Sequence, residues 1–283
     1  MEMNLGRVAF ELFGRNIYWY GIFTALGFMA GYLFLMVNRK YAKMNKEMPA
    51  NLVMIAAMAG IVGARIFYVV QFWDSQFADE PWTKIFRIDE GGQVFYGGFI
   101  LASIAIILFC KVKKLNILST LDILSPSLAI GHAFGRVGCF INGCCFGKET
   151  NSILGVKYPA KSIPFEKFHK VVTIHPVQLY EALANILLFG LFMYTLRKFK
   201  RGFTVGLYII SYGVIRYVME AFFRGDHKEL AQGVFTKAEI VGMIIIPIGI
   251  ALIIFSYYYN NKTIFRKIEK KENENDNNVK NKK

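Results

Sequence analysis

Residues 132–147 concentrate side chains that can bind anions, exchange protons or act as nucleophiles, at the end of a strongly apolar run. The segment contains His132, Arg136, Asn142 and Gly143, together with three of the four cysteines of the chain. Ionisable groups inside an apolar segment are costly in a membrane, so their presence predicts a function. Because glycines let a backbone approach a ligand closely, an arginine among them favours a phosphate-binding site.

A second polar cluster lies in a later apolar run and consists of Tyr212, Arg216, Glu220 and Arg224. The spacing of four keeps successive side chains close on one helix face. Two interpretations are open. Arg216 and Glu220 can form an internal salt bridge that stabilises a helix bundle, or the carboxylate can hold an arginine fork that faces a phosphate.

Polar groups near the ends of other apolar runs have a structural and a functional interpretation. Arg65 is either a snorkelling arginine or a site residue. Tyr96 is either an interfacial aromatic or, because Gly97 and Gly98 follow it, a hydroxyl donor to a lipid headgroup. In residues 175–181 the polar groups suit the start of a helix, where the helix dipole favours the negative charge of Glu181.

The cysteines Cys139, Cys144 and Cys145 allow several interpretations. With His132 they give the spacing H-x6-C-x4-C-C, which is not a usual zinc pattern, and adjacent cysteines rarely bind one ion together. A disulfide or redox pair is favoured over a metal, and buried inert thiols are the most frequent state for at least one of the three. We therefore predict no metal site.

The elements that position these groups are membrane spans. The chain has 283 residues, of which 54% are hydrophobic and 16% aromatic, and its mean hydropathy is +0.35. These values indicate an all-α, polytopic integral membrane protein with about seven transmembrane helices. The predicted spans are residues 18–37, 52–72, 94–111, 117–138, 175–196, 204–223 and 236–259.

The distribution of positive charge predicts orientation. The formal net charge of +14 does not indicate nucleic-acid binding, because Lys and Arg cluster at the ends of apolar runs. Every odd-numbered span is followed by a basic segment, which predicts an outside N-terminus and a cytoplasmic C-terminus. We expect one catalytic membrane domain over residues 1–259, an extracytoplasmic basic loop over about 139–174 that contacts membrane lipids, and a disordered basic cytoplasmic tail over 260–283.

Several motifs, in their order and spacing, resemble the bacterial prolipoprotein diacylglyceryl transferase family over nearly the whole chain. They are Trp19-Tyr20-Gly21, Gly63-Ala64-Arg65-Ile66, Tyr96-Gly97-Gly98, Gly135-Arg136-Val137-Gly138 with Asn142, Gly143 and Gly147, residues 175–181, and Tyr212-Gly213 with Arg216, Glu220 and Arg224. The resemblance implies a multi-pass enzyme of the bacterial cytoplasmic (inner) membrane.

The implied reaction moves the diacylglyceryl group of phosphatidylglycerol to the lipobox cysteine of a prolipoprotein signal peptide and releases glycerol phosphate, without a metal or organic cofactor. Arg136 matches the arginine that contacts the lipid phosphate, and Arg216 matches a second family arginine. The remaining implied site residues are Tyr96, Asn142 and Glu220 in catalysis, and Tyr20, Gly97, Gly98, Gly143, Tyr212 and Arg224 in substrate binding.

The chain departs from the family pattern at three places. Tyr96 stands where many members have histidine, Cys139 and Cys144 stand where members often have asparagine and glutamate, and the interval from Arg216 to Arg224 is one residue longer than usual. Because His132 lies one helical turn before Arg136, we predict that it replaces the missing histidine as the base.

Three other functions are compatible with parts of this pattern. The departures allow a divergent relative that transfers a lipid or glycerol-phosphate group to another acceptor. Cys144 and Cys145 allow a membrane thiol oxidoreductase, although a CxxC motif is absent. An arginine-lined transporter would be expected to contain inverted repeats, and the sequence has no evident repeat.

Overall fold

Seven membrane-length apolar helices dominate the part of the chain that the structure describes. The computed structural model describes residues 7–78, 80–87, 91–160, 162–224 and 240–258. The candidate spans are Trp19–Ala42, Met48–Gln71, Phe95–Val112, Ile117–Asn142, Val177–Lys198, Phe203–Arg224 and Ile240–Tyr258. They confirm the predicted all-α, polytopic fold. The first residues of the predicted seventh span and the predicted tail lie outside the described residues.

The elements are labelled in chain order. The helices are α1 Trp19–Asn38, α2 Met48–Gln71, α3 Trp73–Gln76, α4 Phe95–Val112, α5 Ile117–Asn142, α6 Ile163–Phe168, α7 Val177–Lys198, α8 Phe203–Val218 and α9 Ile240–Tyr258. Short 3₁₀ helices cover Arg39–Ala42 and Trp82–Phe86, and a π-helical turn, Met219–Arg224, continues α8. The strands β1 Val8–Leu12 and β2 Arg15–Tyr18 form one antiparallel hairpin, and β3 Val156–Lys157 pairs with β4 Thr173–Ile174 in another sheet.

Helix α5 is longer than the sequence pattern predicted. The predicted span ended at residue 138, but the helix continues to Asn142, so Cys139 and Asn142 lie on its last turn. Gly143 follows with φ of +72°, a left-handed conformation that commonly ends helices and that glycine adopts without a steric penalty. The helix also continues through Pro126, as membrane helices tolerate proline when neighbouring groups satisfy the backbone.

The chain forms two compact units, of which residues Tyr32–Thr120 are one. Within this unit α2 and α4 pack closely through small residues. A Cβ atom added at Gly97 would lie 2.6 Å from the carbonyl oxygen of Gly63, and one added at Gly98 would lie 2.7 Å from that of Gly60. Small residues at such crossings let helix backbones approach each other in a membrane. The predicted substrate residues Gly97 and Gly98 are therefore packing positions in this unit.

Arg65, in the same unit, binds the loop that precedes α4. Its Nε donates to the carbonyl of Ile85 at 2.7 Å, and its terminal nitrogens donate to the carbonyls of Lys84 at 2.7 Å and Gly91 at 2.9 Å. The side chain is buried, so it does not reach solvent as a snorkelling arginine would. Its guanidinium group holds the segment before α4 through the backbone carbonyls, which is a structural role.

The second unit contains Met1–Gly31 and the chain from Leu121 onwards, and a buried carboxylate on α5 helps to organise it. Asp122 is fully buried, and its oxygens accept from the backbone N–H of Gly202 at 2.6 Å and of Val205 at 2.9 Å. These are the groups that the first turn of α8 leaves without helical partners. Asp122 therefore caps α8 from a different helix and complements the positive end of its dipole.

We expect Asp122→Asn to lower the free energy of unfolding by about 3 kcal/mol, because a neutral amide can accept at only one of its two terminal atoms. The measurement is the midpoint of thermal denaturation of the wild-type and variant proteins in the same detergent. Asp74→Asn is the matched control, since Asp74 is exposed at the start of α3 and should change stability by less than about 0.5 kcal/mol. Equal midpoints for all three proteins would contradict the capping role.

Candidate active site

Five charged side chains of alternating sign form a continuous network at one end of α5, α7 and α8. Arg136 Nε lies 2.5 Å from Glu181 Oε2, and Glu181 Oε1 lies 3.1 Å from a terminal nitrogen of Arg224. The other terminal nitrogen of Arg224 lies 3.9 Å from Glu220 Oε2, which is 3.3 Å from Arg216. The two clusters predicted separately from the sequence are thus joined through Glu181.

This network carries one net positive charge inside a membrane protein, because three guanidinium groups face two carboxylates. Glu181 is 2% exposed, Glu220 0% and Arg224 6%. Charges at such sites are stable only when they are paired. Because guanidinium groups outnumber carboxylates in this network, it favours an anionic ligand.

The two outer arginines have free donor capacity. In the described part of the chain, Arg136 pairs only through its Nε, and Arg216 pairs through one terminal nitrogen. Both side chains line one cleft. The cleft is lined by His132, Arg136, Glu181, Asn185, Leu188, Tyr208, Tyr212, Ile215 and Arg216. Its walls therefore offer guanidinium and phenol groups to a polar ligand, and aliphatic side chains beside them.

The network also contains polar atoms without hydrogen bonds. Glu220 Oε1 and Arg224 Nε are buried and have neither a hydrogen bond nor an ion pair among the described residues. Buried polar atoms in native proteins normally have a partner, and each exception calls for an explanation. A bound ligand that carries hydrogen-bond donors as well as an anionic group would supply the missing hydrogen-bond partner.

His132 contacts the first arginine of the network. Its Nε2 accepts a hydrogen bond of 3.0 Å from Arg136 Nε, and its ring lies 6.2 Å from that of Tyr212. This places the predicted base beside the predicted phosphate-binding arginine. In this arrangement the Nε2 lone pair is occupied, so accepting a proton there requires the bond to Arg136 to break.

A π-helical turn shapes the segment between Arg216 and Arg224. Spacing on a regular α-helix would rotate these two side chains apart over eight residues. The turn Met219–Arg224 is wound with i→i+5 hydrogen bonds, which inserts extra residues into a helix without unwinding it. Glu220 and Arg224 are both buried as a result, and both face the network.

Three other predicted residues lie on or beside the last turns of α5. A Cβ atom at Gly138 would lie 3.4 Å from the Cα of Tyr20, so the start of α1 packs against this part of α5. Asn142 ends the helix, and Gly143 turns the chain into the loop that follows α5. Tyr20, Asn142 and Gly143 therefore lie at the same end of α5 as Arg136.

The segment after Gly143 is held in place by a small apolar cluster. Phe146, Val156, Tyr158 and Ile174 are buried together. Gln178 on α7 donates to the carbonyl of Cys144 at 2.7 Å. Burial raises the pKa of Tyr158, so its hydroxyl stays protonated and serves as a neutral hydrogen-bonding group.

The three cysteines of the signature lie together. The Sγ atoms of Cys139, Cys144 and Cys145 are all within 4.8 Å of one another, and the thiols are free. Hydrogen bonds from the thiols of Cys139 and Cys144, and the positive charge of Arg136, lower the pKa of Cys145. Among the described residues, this is the one group of His, Cys, Asp or Glu side chains arranged to hold a metal ion.

The predicted site residues divide between the two units. Arg136, Arg216, His132, Glu220, Tyr212 and Arg224 are brought together, with Tyr20, Asn142 and Gly143 nearby. Tyr96, Gly97 and Gly98 belong to the unit Tyr32–Thr120, and their contact with a substrate stays a prediction. Glu181 was not among the predicted site residues, although its place in the motif 175–181 was a signal for it.

Comparison with known proteins agrees with this geometry. The sequence profile of the family "Prolipoprotein diacylglyceryl transferase" matches residues 7–255. The phosphatidylglycerol–prolipoprotein diacylglyceryl transferase of Clostridium tetani is 34% identical over 86% of this chain and 94% of its own length. Proteins of the same name from Finegoldia magna and Chlorobaculum tepidum are also similar to this chain. The first is 34% identical over 88% of this chain and 94% of its own length. The second is 30% identical over 90% of this chain and 91% of its own length.

The match spans both compact units and includes every charged residue of the network. It confirms the resemblance inferred from the motifs. The chain belongs to the prolipoprotein diacylglyceryl transferase family.

Proposed function

We propose that this enzyme transfers the diacylglyceryl group of phosphatidylglycerol to the lipobox cysteine of a prolipoprotein signal peptide, the first step of lipoprotein maturation. The observation that carries the proposal is the buried network in which three arginines face two carboxylates. Phosphatidylglycerol has one phosphodiester with one negative charge, which the excess guanidinium groups can bind. Its glycerol headgroup also has hydroxyl donors for Glu220 Oε1, a buried oxygen with no hydrogen bond or ion pair among the described residues.

The network suits the charge movement of this reaction. The substrate thiolate attacks the glycerol carbon that carries the phosphate, a C–S bond forms, and the C–O bond breaks. The bonding electrons pass to the phosphate oxygen, and the proton of the thiol leaves to water. Negative charge therefore moves from sulfur to the departing glycerol phosphate, where the free N–H groups of Arg136 and Arg216 stabilise it in the transition state.

The proposal includes an orientation in the membrane. Arg136 near the end of α5 and Glu181 near the start of α7 lie at the end of the bundle that the positive-inside rule assigns to the outer surface. We infer an outside N-terminus, a cytoplasmic C-terminus and a bacterial cytoplasmic membrane. The family match across both units supports one catalytic domain over residues 1–259, followed by a basic tail over 260–283.

Mass spectrometry of a lipobox peptide tests the function. The purified enzyme is incubated with the peptide in phosphatidylglycerol vesicles, and we expect a diacylglyceryl mass addition on the cysteine. A peptide with serine at that position, and vesicles of phosphatidylethanolamine, are the controls and should give no product. If the cysteine peptide stays unmodified, or if another acceptor is modified instead, the proposal is wrong and the divergent-relative alternative is favoured.

The role of His132 is tested by two substitutions. Because Nε2 already accepts from Arg136, we propose that His132 positions this arginine in the resting enzyme. His132→Ala should slow transfer by about 10-fold, the value of one hydrogen bond of about 1.4 kcal/mol. His132→Gln should recover most of that loss, since an amide oxygen can accept the same bond.

The predicted base role gives a different result. A base is lost equally in the alanine and glutamine variants, and the pH dependence of kcat changes in both. Equal, severe losses would therefore establish His132 as the base, whereas near-full activity of His132→Ala would rule out both roles.

A further inference from the structure

The three clustered cysteines have no role in the reaction described above. We propose that Cys139, Cys144 and Cys145 bind one thiophilic metal ion, such as Zn²⁺, and leave one coordination position open for an external thiol. The sequence pattern alone favoured a disulfide or redox pair over a metal. The tertiary arrangement of the thiols changes that preference.

The spacing of the sulfur atoms suits a single metal ion. Their Sγ atoms lie within 4.8 Å of one another, and ligands at the usual Zn–S distance in a tetrahedral site are about 3.8 Å apart. Small side-chain rotations close this difference. Two of the thiols, Cys139 and Cys144, also have the C-x4-C spacing found in zinc sites.

The backbone conformation around Gly143 and Cys145 allows the adjacent cysteines to face one metal ion. Side chains of neighbouring residues in extended chain point in opposite directions, which normally prevents both from binding one ion. Gly143 has φ of +72° and Cys145 has φ of +60°, so the chain coils between Cys139 and Cys145. A positive φ is uncommon for a residue other than glycine, costs about 1 kcal/mol or more, and often marks a functional site.

The ligands are also held by groups on both sides. Cys144 N–H donates to the carbonyl of Cys139 at 3.1 Å, and the carbonyl of Cys144 accepts from Gln178 at 2.7 Å. Phe140 and Phe146, which flank the segment, pack into the apolar cluster of the outer loop. The thiols are therefore preorganised, and a metal ion does not have to order a flexible loop.

The open position follows from the number of ligands. Zinc is usually four-coordinate, and sites with three protein ligands keep the fourth position for water or substrate. Cys145 is exposed, which gives an entry path, and Cys139 lies one helical turn after Arg136. A thiol that enters the fourth position would give its proton to water and bind the metal as a thiolate. That this thiol is the lipobox cysteine rests on the proposed function; the metal site itself does not.

Cobalt binding to the full-length enzyme tests the site. After reduction and removal of metals with a chelator, titration with Co²⁺ should give thiolate-to-cobalt charge-transfer absorption that saturates at one ion per chain. Cys139→Ser, Cys144→Ser and Cys145→Ser should each lose most of this absorption, and their melting temperatures check that they fold. Cys110→Ser is the matched control and should bind like wild type, because Cys110 is buried in α4.

The fourth ligand is tested with the same cobalt enzyme. A lipobox peptide should shift and strengthen the absorption, and a peptide with serine in place of cysteine should leave it unchanged. No cobalt absorption in the reduced wild type, or absorption that persists in the serine variants, overturns the metal site. A mass 2 Da below that of the reduced chain, measured by intact-mass spectrometry, with no metal uptake would instead show a disulfide.

These readouts are independent of transferase activity. Unmodified lipobox peptide with an intact cobalt signal would contradict the proposed reaction and leave the metal site standing. Normal transfer by an enzyme that binds no cobalt would contradict the metal site and leave the proposed reaction standing.

Discussion

Glu181→Gln is expected to reduce kcat for diacylglyceryl transfer by about 100-fold, the scale of losing one oriented electrostatic group in an active site. Glu181 joins α5 to the end of α8, because its carboxylate contacts both Arg136 and Arg224. Its neutral isostere keeps the shape of the side chain but removes the charge that holds both guanidinium groups in place. The network then carries two net positive charges, and one phosphodiester no longer balances it.

The measurement is the rate of lipobox-peptide modification at saturating phosphatidylglycerol. Glu149→Gln is the matched control, because Glu149 is half exposed and pairs with Lys170 in the segment between α5 and α7, where an exposed ion pair contributes little. This control should stay within about twofold of wild type. If Glu181→Gln is folded and has wild-type kcat, the network does not hold the reacting lipid.

Arg136→Lys is expected to lower kcat by about 100-fold, comparable to the loss of one oxyanion-stabilising group. Lysine keeps the positive charge but cannot donate to His132 and to a phosphate at the same time in the planar geometry of a guanidinium. Because the phosphate gains charge as the C–O bond breaks, we expect a larger effect on kcat than on KM.

Arg197→Lys provides the matched substitution at the other end of α7, where the side chain is exposed. It should leave kcat and KM unchanged. A result in which Arg136→Lys raises KM alone would mean that this arginine binds the lipid equally in the ground and transition states. Wild-type kinetics for Arg136→Lys would contradict its assignment to the site.

The two substitutions also distinguish the network from a merely structural ion pair. Arg216 and Glu220 do form the internal salt bridge that the sequence allowed, at 3.3 Å. The same pair is part of a larger group with more guanidinium groups than carboxylates and with one unpaired buried oxygen, Glu220 Oε1. A purely structural pair would be expected to be neutral and fully hydrogen-bonded, so these features favour a site that binds a ligand.

The amino-acid sequence by itself determined the seven spans and the residues that carry charge within them. The hydrocarbon core of a bilayer requires about 20 apolar residues per helix, so hydropathy located all spans to within a few residues. The signature around Arg136 and the spaced groups from Tyr212 to Arg224 were likewise evident, because polar side chains stand out in apolar segments.

Only the tertiary structure decided how these residues combine. The contact of Glu181 with Arg136 and Arg224 joins residues 43 to 45 positions apart in the chain, which no local pattern encodes. The π-helical turn after Val218 and the left-handed backbone at Cys145 break the regular spacing from which faces are predicted. Helix packing and irregular backbone geometry therefore set the charge balance of the site and the clustering of its thiols.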